Sequence, residues 1–166
     1  VMGNRFARLK CSARKPLKVM VAGHCDEIGL MVTCIEETGQ LRVTNIGGID
    51  PAVLPGQLVL LHTKEKSITG VIGRKAIHLL KVGERGEVKK EQLWVDCGFN
   101  SKKDAEKVVR VGDPISYYPN YTELEGQTVV TKGCDDKVGV FVAAEVLRLL
   151  AAKKSKLKSE VTCVST

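Results

Sequence analysis

Two short acidic motifs carry the residues of this chain that could do chemistry. The first, His24–Gly29, reads His-Cys-Asp-Glu-Ile-Gly, and the second, Cys134–Gly139, reads Cys-Asp-Asp-Lys-Val-Gly. Together they supply an imidazole and several carboxylates, which are ligand types that a hydrolytic zinc site uses. Because these motifs fall short of a full ligand set, the 166 residues predict part of a metal site.

The first motif places His24 and Asp26 directly after an apolar segment that reads as a buried strand. Open α/β sheets bind their ligands at the carboxyl ends of strands. We interpret His24 as a metal ligand through one ring nitrogen, with Asp26 accepting the other ring N–H and fixing the tautomer. The spacing fits a surface histidine paired with a neighbouring aspartate equally well, so both interpretations stay open.

The second motif places Asp135 and Asp136 at the start of a segment with helical periodicity. Aspartate is a favoured helix N-cap, and its charge suits the positive end of the helix dipole. A carboxylate can instead bridge two divalent ions in a hydrolytic site. Taken alone, the motif favours the capping explanation.

The remaining candidates for catalysis are weaker. His62 and His78 lie in apolar surroundings, so we expect them at packing or loop positions. Cys25 stands between two candidate site residues, but no spacing ties it to a histidine that could act as its base. Thiol catalysis is therefore not predicted.

The ends of the chain predict an α/β domain that carries both motifs. A strand is expected over Leu17–Ala22, and its apolar part, Val19–Ala22, is typical of a parallel strand buried on both faces of its sheet. After Asp136 the period becomes helical, with Val138, Val142, Val146 and Leu149 or Leu150 expected on the buried face. A further strand is expected over Glu160–Val164.

The middle of the chain predicts a separate all-β module. Between Ile28 and Tyr118, short β-rich runs alternate with turn clusters, which is typical of a small barrel or sandwich. The expected strands are Gly29–Ile35, Leu41–Asn45, Leu58–His62, Ile68–Ile72 and Leu93–Cys97. Ser101 is expected to begin a single helix within this module.

Composition narrows the class of protein. The net charge is +7, but the basic residues are spread along the chain, so nucleic-acid binding is not predicted. The six cysteines form no C-x-x-C pair, which favours reduced thiols and a cytoplasmic location over a disulfide framework. Neither a signal peptide nor a membrane-spanning segment is expected.

Taken together and in their order along the chain, the motifs resemble those of the TET and glutamyl aminopeptidases. These are dinuclear metallo-exopeptidases, some of whose members are labelled endoglucanase or cellulase. The resemblance begins at Ala22–Val32 and continues, in order, through Gly70–His78, Leu93–Gly98, Arg110–Ile115 and Asp135–Leu150. It covers nearly the whole chain but only the N-terminal half of the family's length.

The resemblance implies a fold and an assembly. It implies a partial parallel-sheet α/β peptidase domain over residues 1–25 and 119–166, interrupted by a barrel-like dimerisation domain over 26–118. Dimers in this family assemble into homo-oligomers as large as dodecamers. Peptides are the implied substrates, and neither nucleic acid nor membrane is an implied partner.

The resemblance also implies a site. It holds two divalent ions, zinc or cobalt, with His24 as a terminal ligand, Asp26 as its catalytic orienting partner and Asp135 as the bridging carboxylate. A cis peptide bond between Asp135 and Asp136 is implied as well. The family's general base and remaining ligands come from a later segment, so the 166 residues alone are expected to be inactive. An alternative is a non-catalytic remnant or oligomerisation module of the same fold.

Overall fold

The computed structural model describes residues 3–84, 86–153 and 157–166. Contacts within the chain define two compact units, one made of residues up to Glu27 together with Gly133–Thr166, the other of Ile28–Lys132. The described residues form eleven strands: β1 Arg5–Leu9, β2 Leu17–Gly23, β3 Gly29–Ile35, β4 Leu41–Ile46, β5 Leu58–His62, β6 Ser67–Arg74, β7 Leu93–Asp96, β8 Pro114–Tyr117, β9 Tyr121–Leu124, β10 Thr128–Thr131 and β11 Ser159–Ser165. The helices are α1 Lys102–Ala105 and α2 Cys134–Ala152, and five short 3-10 turns accompany them, at Pro51–Val53, Ile77–Leu79, Val82–Glu84, Lys90–Gln92 and Glu125–Gln127.

The first unit is a three-stranded sheet covered by α2. Its strand order is β1-β11-β2, with β1 antiparallel to β11 and β2 parallel to it. The sheet is therefore mixed, whereas the sequence predicted a parallel one. Its core joins Ala143 and Leu147 of the helix to Val161 and Cys163 of β11. The Cys163 thiol donates a hydrogen bond of 2.9 Å to the Ala143 carbonyl.

Two predictions for this unit are wrong in detail. Leu17 and Met20 of β2 are exposed, although the sequence predicted burial on both faces. In the described part of the chain, β2 pairs only with β11 and lies at the edge of the sheet. The buried face of α2 also differs from the predicted one, since Ala143 and Leu147 are buried while Val138 and Val142 are exposed. The helix is apolar on several faces, so the period alone could not select the one that packs.

The second unit contains a closed six-stranded barrel, which confirms the barrel predicted for this segment. Its strand order is β3-β4-β7-β6-β5-β8. The interior is filled by alternate apolar residues of these strands, among them Val32, Leu41, Leu61, Ile72 and Val95, all at most 1% exposed. Ser101 caps α1, as predicted, by accepting a hydrogen bond of 3.2 Å from the Asp104 amide.

The end of this unit lies later in the chain than the sequence predicted. The hairpin of β9 and β10 groups with the barrel's unit, which extends to Lys132 and not to Tyr118. Both hairpin strands are short and contain mainly exposed residues. They therefore lacked the composition shift that would have revealed the boundary.

Across the described ranges, no helix is both long enough and apolar enough to cross a bilayer.

Candidate functional site

The site lies in the first unit, where the end of β2 meets the start of α2. Gly23, the last residue of β2, is buried and packs directly against the helix backbone. A Cβ atom there would lie 2.5 Å from the Val140 nitrogen and 2.7 Å from the Gly139 carbonyl carbon. Only a residue without a side chain fits this approach, and it brings His24 to the beginning of the helix.

His24 joins the two acidic motifs through its two ring nitrogens. Nδ1 lies 3.1 Å from Asp26 Oδ1 and 3.3 Å from the Asp26 backbone carbonyl oxygen. Nε2 lies 3.2 Å from Asp135 Oδ1. The three residues selected from the sequence are therefore brought together.

The start of α2 divides the two aspartates between two tasks. The peptide bond between Asp135 and Asp136 is cis, as the resemblance implied, and both residues have non-helical backbone angles. Asp136 Oδ1 accepts a hydrogen bond of 3.0 Å from the Gly139 amide, which is the capping role considered for this motif. Asp135 faces His24 instead, with its side chain 96% exposed.

The charges around His24 favour its protonated form. Partial desolvation of the ring lowers the pKa of His24, but the Asp26 backbone carbonyl and the charges of Asp26, Asp135 and Asp136 outweigh it, so this pKa is raised. The neutral tautomer with its proton on Nδ1 would leave the Nε2 lone pair facing the Asp135 carboxylate. Two acceptors at this separation require a proton or a metal cation between them.

The donor set fits a zinc-type cation in part. Two ligands of one tetrahedral zinc lie roughly 3.3 Å apart at ordinary bond lengths, and His24 Nε2 and Asp135 Oδ1 are 3.2 Å apart. An Asp26 carboxylate on the far ring nitrogen is the usual outer partner of a metal-bound histidine. Within residues 3–84, 86–153 and 157–166, however, no group of three or more His, Cys, Asp or Glu residues could hold a metal ion.

The other candidates from the sequence lie outside this cluster. Cys25 Sγ is 2.9 Å from the Ser165 hydroxyl. His62 is half-buried and lies within hydrogen-bond distance of the hydroxyls of Ser67 and Ser116 in the barrel unit. His78 is exposed in the 3-10 turn Ile77–Leu79, a loop position as predicted.

Sequence reasoning missed one pair of residues at this site. Glu27 of the first motif forms an ion pair with Lys137 of the second. The two motifs were already expected to lie close together. Their opposite charges were therefore the signal that could have revealed this pair.

Comparison with known proteins relates the whole chain to one group of peptidases. A sequence model of the family described as M42 glutamyl aminopeptidase matches residues 3–166. Lysyl aminopeptidase of Pyrococcus furiosus is 34% identical over 159 residues, which are 94% of this chain and 45% of that protein. Putative aminopeptidase FrvX of Escherichia coli is 37% identical over 150 residues, 89% of this chain and 41% of its own length.

Solved structures give the same result. A TET aminopeptidase from a marine sediment archaeon of the Thaumarchaeota has a TM-score of 0.88 at 31% identity, covering 99% of this chain and 46% of that one. The TET1 peptidase of Pyrococcus horikoshii, described as assembling into a tetrahedron or a large octahedral shell, has a TM-score of 0.81 at 30% identity, covering 99% and 48%. The chain spans less than half the length of these relatives.

Proposed function

The chain belongs to the M42 glutamyl aminopeptidase family, and from that premise we propose that the whole protein is a metal-dependent aminopeptidase. Its substrates are peptides, from which it hydrolyses the N-terminal residue. The observation that carries the proposal is the facing pair of His24 Nε2 and Asp135 Oδ1, 3.2 Å apart, with Asp26 on the other ring nitrogen.

The residues of this chain have three roles in that site. The Asp26 carboxylate accepts the Nδ1–H of His24, which keeps the Nε2 lone pair directed at Asp135. His24 through Nε2 and Asp135 through its carboxylate hold the cation. Two divalent ions, zinc or cobalt, supply Lewis acidity and an activated water when bound in the complete site.

The two adjacent aspartates at the start of α2 also suit a hydrolytic site. Asp135 is almost fully exposed, so a peptide can approach the cation side of the pair. Asp136 is occupied by the Gly139 amide, so capping of the helix does not consume the Asp135 carboxylate. The two adjacent aspartates can thus stabilise the helix and hold the cation at the same time.

For the assembly, we propose a homo-oligomer built from dimers, up to a dodecamer, with residues 28–132 as an inserted dimerisation domain. Support comes from the compact barrel unit and from the shells described for the Pyrococcus horikoshii relative. Light scattering of the whole protein would detect such particles directly.

The activity is tested on the full-length protein with aminoacyl-nitroanilides, after removal of bound metal and addition of zinc or cobalt. His24→Ala and Asp135→Ala should each lower kcat/KM by more than the 10- to 100-fold that is usual for an outer partner of a metal ligand. His78→Gln, at an exposed loop histidine, is the matched control and should retain activity. Full activity in His24→Ala would refute the proposed site.

The 166-residue polypeptide by itself should show negligible turnover in the same assay. Its described residues bring together two candidate ligands, His24 and Asp135, and no group of three. Substantial turnover by this polypeptide with added zinc or cobalt would contradict that expectation.

A further inference from the structure

The ion pair between Glu27 and Lys137 connects the two acidic motifs at a second point. Glu27 Oε1 contacts Lys137 Nζ, and the two residues are 110 positions apart in the chain. The Glu27 side chain is 29% exposed and the Lys137 side chain 51%. This is a long-range contact between the segment that carries His24 and the helix start that carries Asp135.

The pair packs over the turn that precedes Asp135. Gly133, at φ +75°, lies directly beneath it, and a Cβ atom there would be 2.6 Å from Glu27 Oε1 and 3.0 Å from Lys137 Nζ. The glycine therefore leaves the space that the ion pair fills. On its other side, Lys137 is anchored in the first turn of α2.

The segment with His24 needs such a connection because it lies outside regular structure. Residues 24–28 belong to no helix or strand. On one side, the Cys25 amide donates a hydrogen bond of 2.8 Å to the Thr166 carbonyl. Glu27 is placed to tether the other side, beyond Asp26.

We propose that Glu27 and Lys137 are positioning residues, which hold the His24 segment against the start of α2 and so set the separation of His24 Nε2 and Asp135 Oδ1. Functional sites require their groups to be held within about 0.5 Å of the productive geometry. Neither residue contacts the cation in this scheme. The expected effect on metal binding rests on the proposed function. The tether, meaning the Glu27–Lys137 contact that holds the His24 segment to α2, does not depend on it.

A second ion pair on the same helix provides a matched control. Glu145 and Arg148 are three residues apart, with side chains 34% and 65% exposed. Their exposure resembles that of Glu27 and Lys137, but the contact is local and joins no two segments. Breaking it removes an ion pair from α2 without releasing residues 24–28.

The first measurement is a spectroscopic titration of the metal-free, full-length protein with Co²⁺. Lys137→Met should weaken Co²⁺ binding about tenfold, within the range known for outer-shell substitutions. Lys137→Arg, which keeps the charge, should restore affinity to within about twofold, and Arg148→Met should bind like wild type. Glu27→Gln combined with Lys137→Met should be no weaker than either single variant, because both remove the same contact.

The second measurement is amide hydrogen exchange in the metal-free protein. Lys137→Met should speed exchange across residues 24–29 and leave the buried part of α2 around Ala143 and Leu147 unchanged. Arg148→Met should leave residues 24–29 as in wild type.

The outcomes separate the two proposals. If wild type binds Co²⁺ and Lys137→Met binds it equally well, the positioning role is overturned, whatever the exchange result. If wild type fails to bind Co²⁺, the proposed function is wrong, and exchange alone then decides whether the tether exists. Unchanged exchange in Lys137→Met would overturn the tether in that case.

Discussion

At the scale of single residues, the proposed role of His24 rests on its two ring nitrogens, which face different carboxylates. In the proposed site, one nitrogen donates to Asp26 and the other is left for a cation shared with Asp135. This division of roles requires the imidazole and both acidic side chains. Loss of the imidazole or of Asp135 should remove a ligand, whereas loss of Asp26 should remove the group that orients the imidazole.

Asp26→Asn tests the outer member of this arrangement. The amide oxygen can still accept the Nδ1–H of His24, but the negative charge that strengthens this hydrogen bond is lost. Zinc or cobalt affinity should fall about 10- to 100-fold, as for other partners of metal-bound histidines. Calorimetric titration of the full-length protein measures it.

Glu123→Gln is the control for that experiment, since Glu123 is an exposed carboxylate on β9. It should bind metal like wild type. Unchanged affinity in Asp26→Asn would show that Asp26 does not orient the histidine.

The residues of the site could be predicted from sequence to a useful degree. His24 and Asp26 were selected by residue type and by their position after a strand, Asp135 was selected through the family resemblance, and the structure brings all three together. Glu27 and Lys137 could not be selected in the same way. Acidic and basic residues are common on surfaces, and only the fold shows which of them meet.

At the scale of elements, the close approach of β2 and α2 positions the site. The approach depends on Gly23, where a Cβ would lie 2.5 Å from the Val140 nitrogen. Sequence periodicity located both elements within a residue or two. It could not give the buried face of α2, because apolar residues lie on several sides of that helix and packing alone chooses among them.

Gly23→Val tests this contact. The added side chain would overlap helix backbone, which cannot move away as a flexible side chain could. We expect the free energy of unfolding to fall by about 1–3 kcal/mol, the usual cost of overpacking, as measured by chemical denaturation. Gly48→Val is the control, because a Cβ at Gly48 meets open space; equal stability of the two variants would contradict the argument.

The cap of α1 makes a pH-dependent contribution to stability. Hydrogen bonds from Lys107 and Ser101, and the charge of Lys107, outweigh desolvation and lower the pKa of Asp104 in the folded protein. A carboxyl whose pKa is lowered by folding stabilises the protein above its unfolded pKa of about 3.9. That contribution is lost as the pH falls through the lower folded value.

Asp104→Asn should therefore be less stable than wild type near pH 6, and the difference should shrink as the pH approaches 3. Denaturant unfolding at several pH values measures it. Lys107→Met removes the main partner of Asp104 and should show the same narrowing. A stability difference that is independent of pH would exclude this explanation.

At the scale of the whole molecule, the chain combines a barrel unit with a sheet-and-helix unit that carries the site. The barrel was predictable because its strands alternate apolar and polar residues between turn clusters, and because the segment forms a complete core by itself. The sheet of the other unit was less predictable. Apolar content alone predicted burial of β2, which in the described residues is an edge strand with exposed apolar side chains.

We propose above all that His24 and Asp135 hold a cation between them. Anomalous diffraction from zinc-loaded crystals of the full-length protein tests it most directly. We predict a zinc peak within bonding distance of both His24 Nε2 and an Asp135 carboxylate oxygen, and its loss in His24→Ala. A zinc peak away from these two atoms, or one that persists in His24→Ala, would contradict the account.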